Sequence, residues 1–493
     1  MADAAVDSAL RRLGRESVSY GIGLALVQLA SFLLLPILTR VLSTAEYGVV
    51  SIALTTGTFV STLVSAGIAA ALFRSYYDHT TSRGRGQVVW TSLVITVMTS
   101  VSALVIGWAL SPVASHALFG DRSLAYLVVA VIAEAGLRAV TSACQSVLRA
   151  ESRPAGFIAV NLVSLLVRFV LTWGLLSVYG LGLRGYAIGT VVGGVAGLLL
   201  ALVLISRDIR PDFSISEARL LIRYGGPVMT ANFASAVLVG ADRYFLRLWH
   251  GLEVVAVYNV GYQLASIVVV LLVTPISTAW PTIMLPLKDK PEIRSFISAS
   301  LTIVVGLSGW LVVALAFVGP VLVRVVAPPE YSAAAIVLPI VALANSMLLV
   351  QRVIASGPEL TRRMNRYSVP FVIAAVVVVV LDLALIPKWG MYGATAATLT
   401  AYVLLPVLAY IAGRRIYPIQ YQWVRLGALV AATVPLTASG IWYGQATRGN
   451  GPLSCLGAVL GLVVYPIVLI GLRIVDRADV RRLFEVLRQR KPA

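Results

Sequence analysis

Three ionisable residues sit in apolar segments where charge is expensive. Glu134 and Arg138 lie near the middle of an apolar run over residues 124–148, and Arg168 lies at a similar depth in the next, 156–178. Glu134, Arg138, Thr141 and Gln145 fall at i, i+4, i+7 and i+11, one face of a helix; Asn161 and Arg168, seven apart, share a face of the next. At about 1.5 Å per residue, Arg138 is about 15 Å from residue 148 and Arg168 about 18 Å from residue 156, near the midplane of a ~30 Å hydrocarbon core. A charge there costs at least about 2.5–3.5 kcal/mol, so such residues face a polar interior rather than lipid. Two uses fit. The arginines line a cationic cavity for an anion, since a guanidinium grips phosphate oxygens in pairs; or Glu134 and Arg138 simply satisfy one another along one helix. Arg168 has no partner on its own helix, which favours the cavity.

Other polar residues in apolar segments carry weaker signals. Asp242 and Arg243 lie about 6 Å from one end of their span, within reach of the surface by snorkelling. Arg352 and Asp382 are similarly near span ends. For these four, a structural or gating salt bridge is the better expectation than contact with a ligand. Tyr258, Asn259, Tyr262 and Gln263 make two i,i+4 pairs suited to hydrogen bonds between helices, and Gln28, Asn232 and Asn345 are read the same way. Pro36, Pro275 and Pro281 can bend or end helices. Within the spans, four arginines stand against Glu134, Asp242 and Asp382, which leaves one positive charge over.

The elements that must position these residues follow from composition. Of 493 residues 59% are hydrophobic and only 12% charged, with mean hydropathy +0.90. A soluble domain is about 25% charged, so the chain is expected to be an all-α polytopic membrane protein. Spans fall near 17–39, 47–72, 87–110, 124–148, 156–178, 184–206, 223–247, 254–284, 295–318, 332–356, 367–386, 391–412, 424–444 and 455–475, about fourteen in all. Arg11, Arg12 and Arg15 precede the first, which is too long for the core of a signal peptide. The net charge of +18 comes from basic residues between spans, which points to membrane lipid head groups and not to nucleic acid. Seven basic residues (Arg40, Arg122, Arg184, Arg247, Arg324, Lys388, Arg448) fall on one side, four within spans, and the other 28 of 39 on the opposite side. That bias puts both termini in the cytoplasm.

Domain organisation is expected to be two six-helix halves, 1–206 and 223–412, joined by a cytoplasmic linker helix over 207–222. Ser214 and Glu217 form a possible capping box in that linker. An extra helix pair over 413–475 and a basic tail over 476–493 follow, the tail carrying Val480, Leu483, Phe484 and Leu487 at helical spacing. Arg15 and Arg223, Gly48 and Ala256, and Gly185 and Gly393 are each 208 apart, so the halves repeat in parallel.

Several classes are set aside. Cys144 and Cys455 lie in apolar spans and give no disulfide framework or metal site. His79, His116 and His250 are expected as solvated loop or interface residues. No GxxxxGK[ST] loop occurs, and the longest external loops hold no Asp-x-Asp or carboxylate pair, so neither ATP hydrolysis nor an enzyme is expected, and no cofactor.

Three stretches resemble a known family. LTRVLSTAEYG (Leu38–Gly48), ADRYFLRLWHGLEVVAVYNV (Ala241–Val260) and the run from Ile386 to Thr395, IPKWGMYGAT, resemble segments of bacterial polysaccharide-repeat-unit flippases of the O-antigen or capsule type. That family is related to lipid II flippases and multidrug-and-toxin extruders. The resemblance implies two six-helix halves, a place in the bacterial cytoplasmic membrane, and transfer of undecaprenyl-diphosphate-linked oligosaccharides to the outer leaflet by alternating access. Surface polysaccharide or exopolysaccharide synthesis is the implied process, and a polysaccharide polymerase an implied partner. Arg168, Arg138, Glu134, Asn161 and Gln145 are then the substrate-binding candidates, and Asp242, Arg243, Arg352 and Asp382 the gating or coupling candidates. The alternative is a cation-coupled multidrug antiporter of the extruder family; the positive surplus inside the spans and the extra pair, spans thirteen and fourteen, weigh against it.

Overall fold

The computed structural model describes residue 28, 32–284, 288, 293–361, 364–447 and 451–471. Arg11, Arg12, Arg15, most of the first expected span and the tail over 476–493 lie outside the described residues, as does the Cys455 side chain.

Among the described residues regular structure is helical throughout. The helices are α1 (Leu34–Val41), α2 (Thr44–Ser65), α3 (Ile68–Asp78), α4 (Ser82–Phe119), α5 (Ala125–Ala150), α6 (Pro154–Trp173), α7 (Gly182–Ile205) and α8 (Ile215–His250). There follow α9 (Leu252–Ala265), α10 (Thr274–Met284), α11 (Ile293–Val326), α12 (Ala334–Ile354), α13 (Ser356–Leu360), α14 (Met364–Gly413), α15 (Trp423–Thr447) and α16 (Gly451–Gly471). Among the described residues ten helical segments are long and apolar enough to cross a membrane. The protein is an all-α polytopic membrane protein.

Local chemistry explains where helices begin and where they break. Ser43 caps α2 with a complete capping box: its hydroxyl accepts from Glu46 N–H, and the Glu46 carboxylate accepts from Ser43 N–H at 2.9 Å. The box expected at Ser214 is only half formed. Glu217 N–H donates to Ser214 Oγ at 3.3 Å, but Ser214 N–H turns to Thr91 Oγ1, and Glu217 lies 3.3 Å from His79 Nε2. His79 thus ties two segments together instead of sitting free in solvent, and His250 likewise bonds the Ile386 carbonyl at 2.8 Å.

Six expected spans differ in form from the sequence reading. The second is split into α2 and α3 by Ala66 and Gly67, both left-handed. The eighth is divided by a π-helical turn at Val269–Val273, and another π turn at Gly174–Val178 follows α6. The linker helix is not separate: α8 runs unbroken from Ile215 through Pro227 to His250. The eleventh and twelfth spans meet at Gly390, whose φ of 55° and ψ of −132° break α14.

By contact the chain forms two compact units, residues 1–259 with 371–397, and 260–370 with 398–493. In the first, α5 packs on α2, α3, α4 and α7, and α6 packs on α7. In the second, α11 packs on α12, α15 and α16. There Thr433 bonds Tyr465 at 3.0 Å inside a cluster with Val313 and Leu429.

Candidate functional site

The site grows from the α6–α7 contact. A Cβ on Gly193 would lie 2.7 Å from Arg168 Cβ and 2.9 Å from the Ser164 carbonyl oxygen, so the missing side chain is what lets the two helices close. That approach carries the Arg168 guanidinium to α5, where its Nη2 donates to Glu134 Oε1 at 2.8 Å. Arg138 reaches the same carboxylate from one turn away, with Nη2 at 2.6 and 2.8 Å from the two oxygens and Nε at 3.2 Å.

One carboxylate therefore serves two guanidiniums. The Glu134 side chain is 8% exposed, Arg168 22% and Arg138 43%. Arg168 Nε is buried and has no hydrogen-bond partner among the described residues. The group keeps one positive charge over, with donors on both arginines left for an anion. Glu134 pairs along its own helix with Arg138, and it also holds Arg168 of the next helix.

The remaining candidates are less engaged. Asn161 donates to Phe157 O on its own helix at 2.8 Å. Gln145 is half-buried on the Arg138 face and makes no hydrogen bond among the described residues. Thr141 bonds back to Leu137 O.

A family model for polysaccharide biosynthesis proteins matches residues 13–284, more than half of the chain. The chain belongs to the polysaccharide biosynthesis protein family. Among the curated proteins none matches. Its fold is similar to that of the lipid II flippase MurJ in an inward closed conformation, with TM-score 0.72 and 11% identity over 92% of this chain and 99% of that one. An inward-facing multidrug resistance transporter of the MATE family gives TM-score 0.68 and 13% identity over 83% and 99% of the two chains. A MATE transporter of Vibrio cholerae gives 0.55 and 14% over 84% and 97%. At these identities the likeness is one of fold.

A second polar cluster in this family member gathers the coupling candidates of α8. Asp242 and Arg243 do not snorkel; they are 2% and 5% exposed. Arg243 Nη1 donates to Asp242 Oδ1 at 3.0 Å and to Val239 O, and its Nε donates to Asn259 Oδ1 at 3.1 Å. Tyr258 O–H donates to the second oxygen of Asp242, and Asn259 Nδ2 donates to Tyr47 O–H at 3.2 Å. Snorkelling fails because these donors and acceptors are all within reach inside the unit. Asp382, on α14, is fully buried beside Asp242, and neither of its oxygens has a hydrogen-bond partner among the described residues. Arg352 stands apart, closing an ion pair with Glu359 at 2.8 Å between α12 and α13.

Sequence reasoning missed a surface cluster at the ends of α3, α5 and α7. Tyr76 O–H donates to Glu151 Oε1 at 2.7 Å, and Arg153 lies 2.8 Å from Glu151 and 3.5 Å from Asp208. Burial first, then the hydrogen bond and charge of Glu151, push the Asp208 carboxyl up to about 6, against the pull of Arg153. The carboxylates lie 57 residues apart in the chain, and no periodicity links them.

Proposed function

We propose that the protein is a flippase that moves an undecaprenyl-diphosphate-linked oligosaccharide from the inner to the outer leaflet of the bacterial cytoplasmic membrane, for surface polysaccharide synthesis. The observation that carries this reading is Glu134 shared between Arg138 and Arg168, a polar group with a net positive charge inside apolar helices. A diphosphate fits it: each guanidinium offers paired donors in a fixed plane, and the surplus charge is of the required sign. A site evolved for cationic drugs would carry the opposite balance. Membership of the polysaccharide biosynthesis protein family and a fold like that of a lipid II flippase support the reading.

In this scheme the headgroup exchanges places with Glu134 at one or both arginines, and the carboxylate holds the site closed when it is empty. Asn161 and Gln145, seven residues along their helices from Arg168 and Arg138, are assigned to saccharide hydroxyls. Asp382 is the group assigned to coupling. It is fully buried, and neither of its oxygens has a hydrogen-bond partner among the described residues, unlike the paired Asp242. A cycle that alternately exposes it and buries it against Asp242 moves a proton with each turn. Asp382→Asn should then leave headgroup binding unchanged and make transport insensitive to an uncoupler; retained sensitivity would remove Asp382 from the scheme.

The test of function is an accounting, by leaflet, of undecaprenyl-linked glycans in cells depleted of the protein. Complete repeat units are expected to accumulate on the cytoplasmic face. An unchanged pool would end the proposal.

A further inference from the structure

The first unit holds another arginine cluster, distinct from the Glu134 site. Arg74 and Tyr77 from α3, Arg149 from α5, and Tyr224 and Asn232 from α8 line a concave site of about 680 Å³. Arg74 Cζ lies over the Tyr224 ring at 4.8 Å from its centre, and Arg149 Cζ over Phe73 at 5.9 Å and Phe157 at 5.8 Å. Aromatic rings flank both guanidiniums, and Arg149 Nη2 also donates to Ser146 Oγ at 3.0 Å. Among the described residues Arg74 makes no ion pair or hydrogen bond. The lining holds two arginines and a single carboxylate, Asp78.

The hollow is a product of the break between α2 and α3. Gly67 has a φ of 69°, and a Cβ there would lie 2.1 Å from the Gly225 carbonyl oxygen. Only backbone against backbone permits that approach, and it sets Tyr224 beside the first turns of α3. Along α5, Arg138, Ser142, Gln145 and Arg149 follow one another at i, i+4, i+7 and i+11. Arg149 and the deep Arg138 therefore share one face, about 16 Å apart.

We propose that this hollow is a first docking station for the diphosphate headgroup, on the side that the Lys and Arg bias assigns to the cytoplasm. Arg74 and Arg149 grip the phosphates there, and the α5 face leads the headgroup on to Arg138. The station rests on the flippase reading and adds where the substrate is met before it enters.

The experiment uses the full-length protein in nanodiscs of zwitterionic lipid, with three probes: geranylgeranyl diphosphate, inorganic pyrophosphate and geranylgeraniol. Wild type is compared with the pair Arg74→Gln/Arg149→Gln and, for the interior, with Arg168→Gln. Geranylgeranyl diphosphate should bind wild type and bind the paired variant at least about tenfold more weakly, a larger loss than in Arg168→Gln; geranylgeraniol should not compete. Arg74→Lys/Arg149→Lys should recover part of the loss, and unchanged thermal midpoints exclude misfolding as its cause. Pyrophosphate competing as well as the lipid would identify the ligand as a free diphosphate; weaker competition identifies the lipid headgroup. Equal affinity for wild type and the paired variant overturns the station. If Arg168→Gln alone loses binding, the station falls while the interior site stands. If no diphosphate binds wild type, both fall.

Discussion

Glu134 balances two cations with one anion, and its neighbours differ in what they give up when it moves. Arg168 is the less exposed and is held by a glycine contact on α7, so it is the fixed member of the site. Arg168→Ala should abolish transport while leaving the protein in the membrane, read by leaflet-resolved glycan analysis beside an immunoblot of the membrane fraction. Arg168→Lys should restore it only in part, because an ammonium lacks the paired donors. Transport at the wild-type rate by Arg168→Ala would remove this arginine from the site. Asp208 gives a prediction about pH. Its carboxyl titrates near 6 in the folded protein against a usual 3.8, so the folded state holds the proton more tightly. Stability is therefore full below about 4, falls as pH rises to about 6, and stays lower above. Asp208→Asn should shrink the difference in thermal midpoint between pH 5 and pH 8; an undiminished difference would assign it to other groups. The sequence showed the Glu134–Arg138 pair, because i,i+4 spacing is local. It could not show that Arg168 ends on Glu134, 34 residues away, nor that Asp382 lacks a donor among the described residues, because both depend on which helices touch.

Gly193 shows how much of the site belongs to helix packing. Gly193→Ala places a methyl group against Arg168 Cβ and the Ser164 carbonyl, and neither has room to retreat along α6. Overpacking of this kind costs about 1–3 kcal/mol. Transport should fall at least as far as in Arg168→Lys, with a lower thermal midpoint, while Gly174→Ala, which meets nothing within 4 Å, should change neither. Equal transport by Gly193→Ala and wild type would detach Arg168 from the α6–α7 contact. Hydropathy made the spans legible because each needs about twenty apolar residues to cross the core. It was blind to the left-handed pair Ala66–Gly67 and to the two π turns, since a slipped hydrogen bond leaves apolar composition unchanged. The capping box at Ser43 lies inside a stretch quoted for its family resemblance, so part of that resemblance is a helix start. At Ser214 the same pattern of residues formed only half the box, because Thr91 and His79 offered competing partners.

At the scale of the whole chain, the excess of Lys and Arg on one side carries the topological expectation that both termini are cytoplasmic. A fluorescent protein fused after Ala493 should glow and an alkaline phosphatase fused there should stay silent; the reverse pattern would invert the membrane orientation and the station's place with it. Helix α8 adds a mechanical consequence. Its 36 residues make a rod about 54 Å long, well beyond the ~30 Å core, with one joint at Pro227, where the ring removes a backbone donor. The stretch from that joint to His250 is about 35 Å, so a tilt of about ten degrees displaces His250 by about 6 Å. The far end, where that lever arm is longest, is the end that His250 ties to the Ile386 carbonyl.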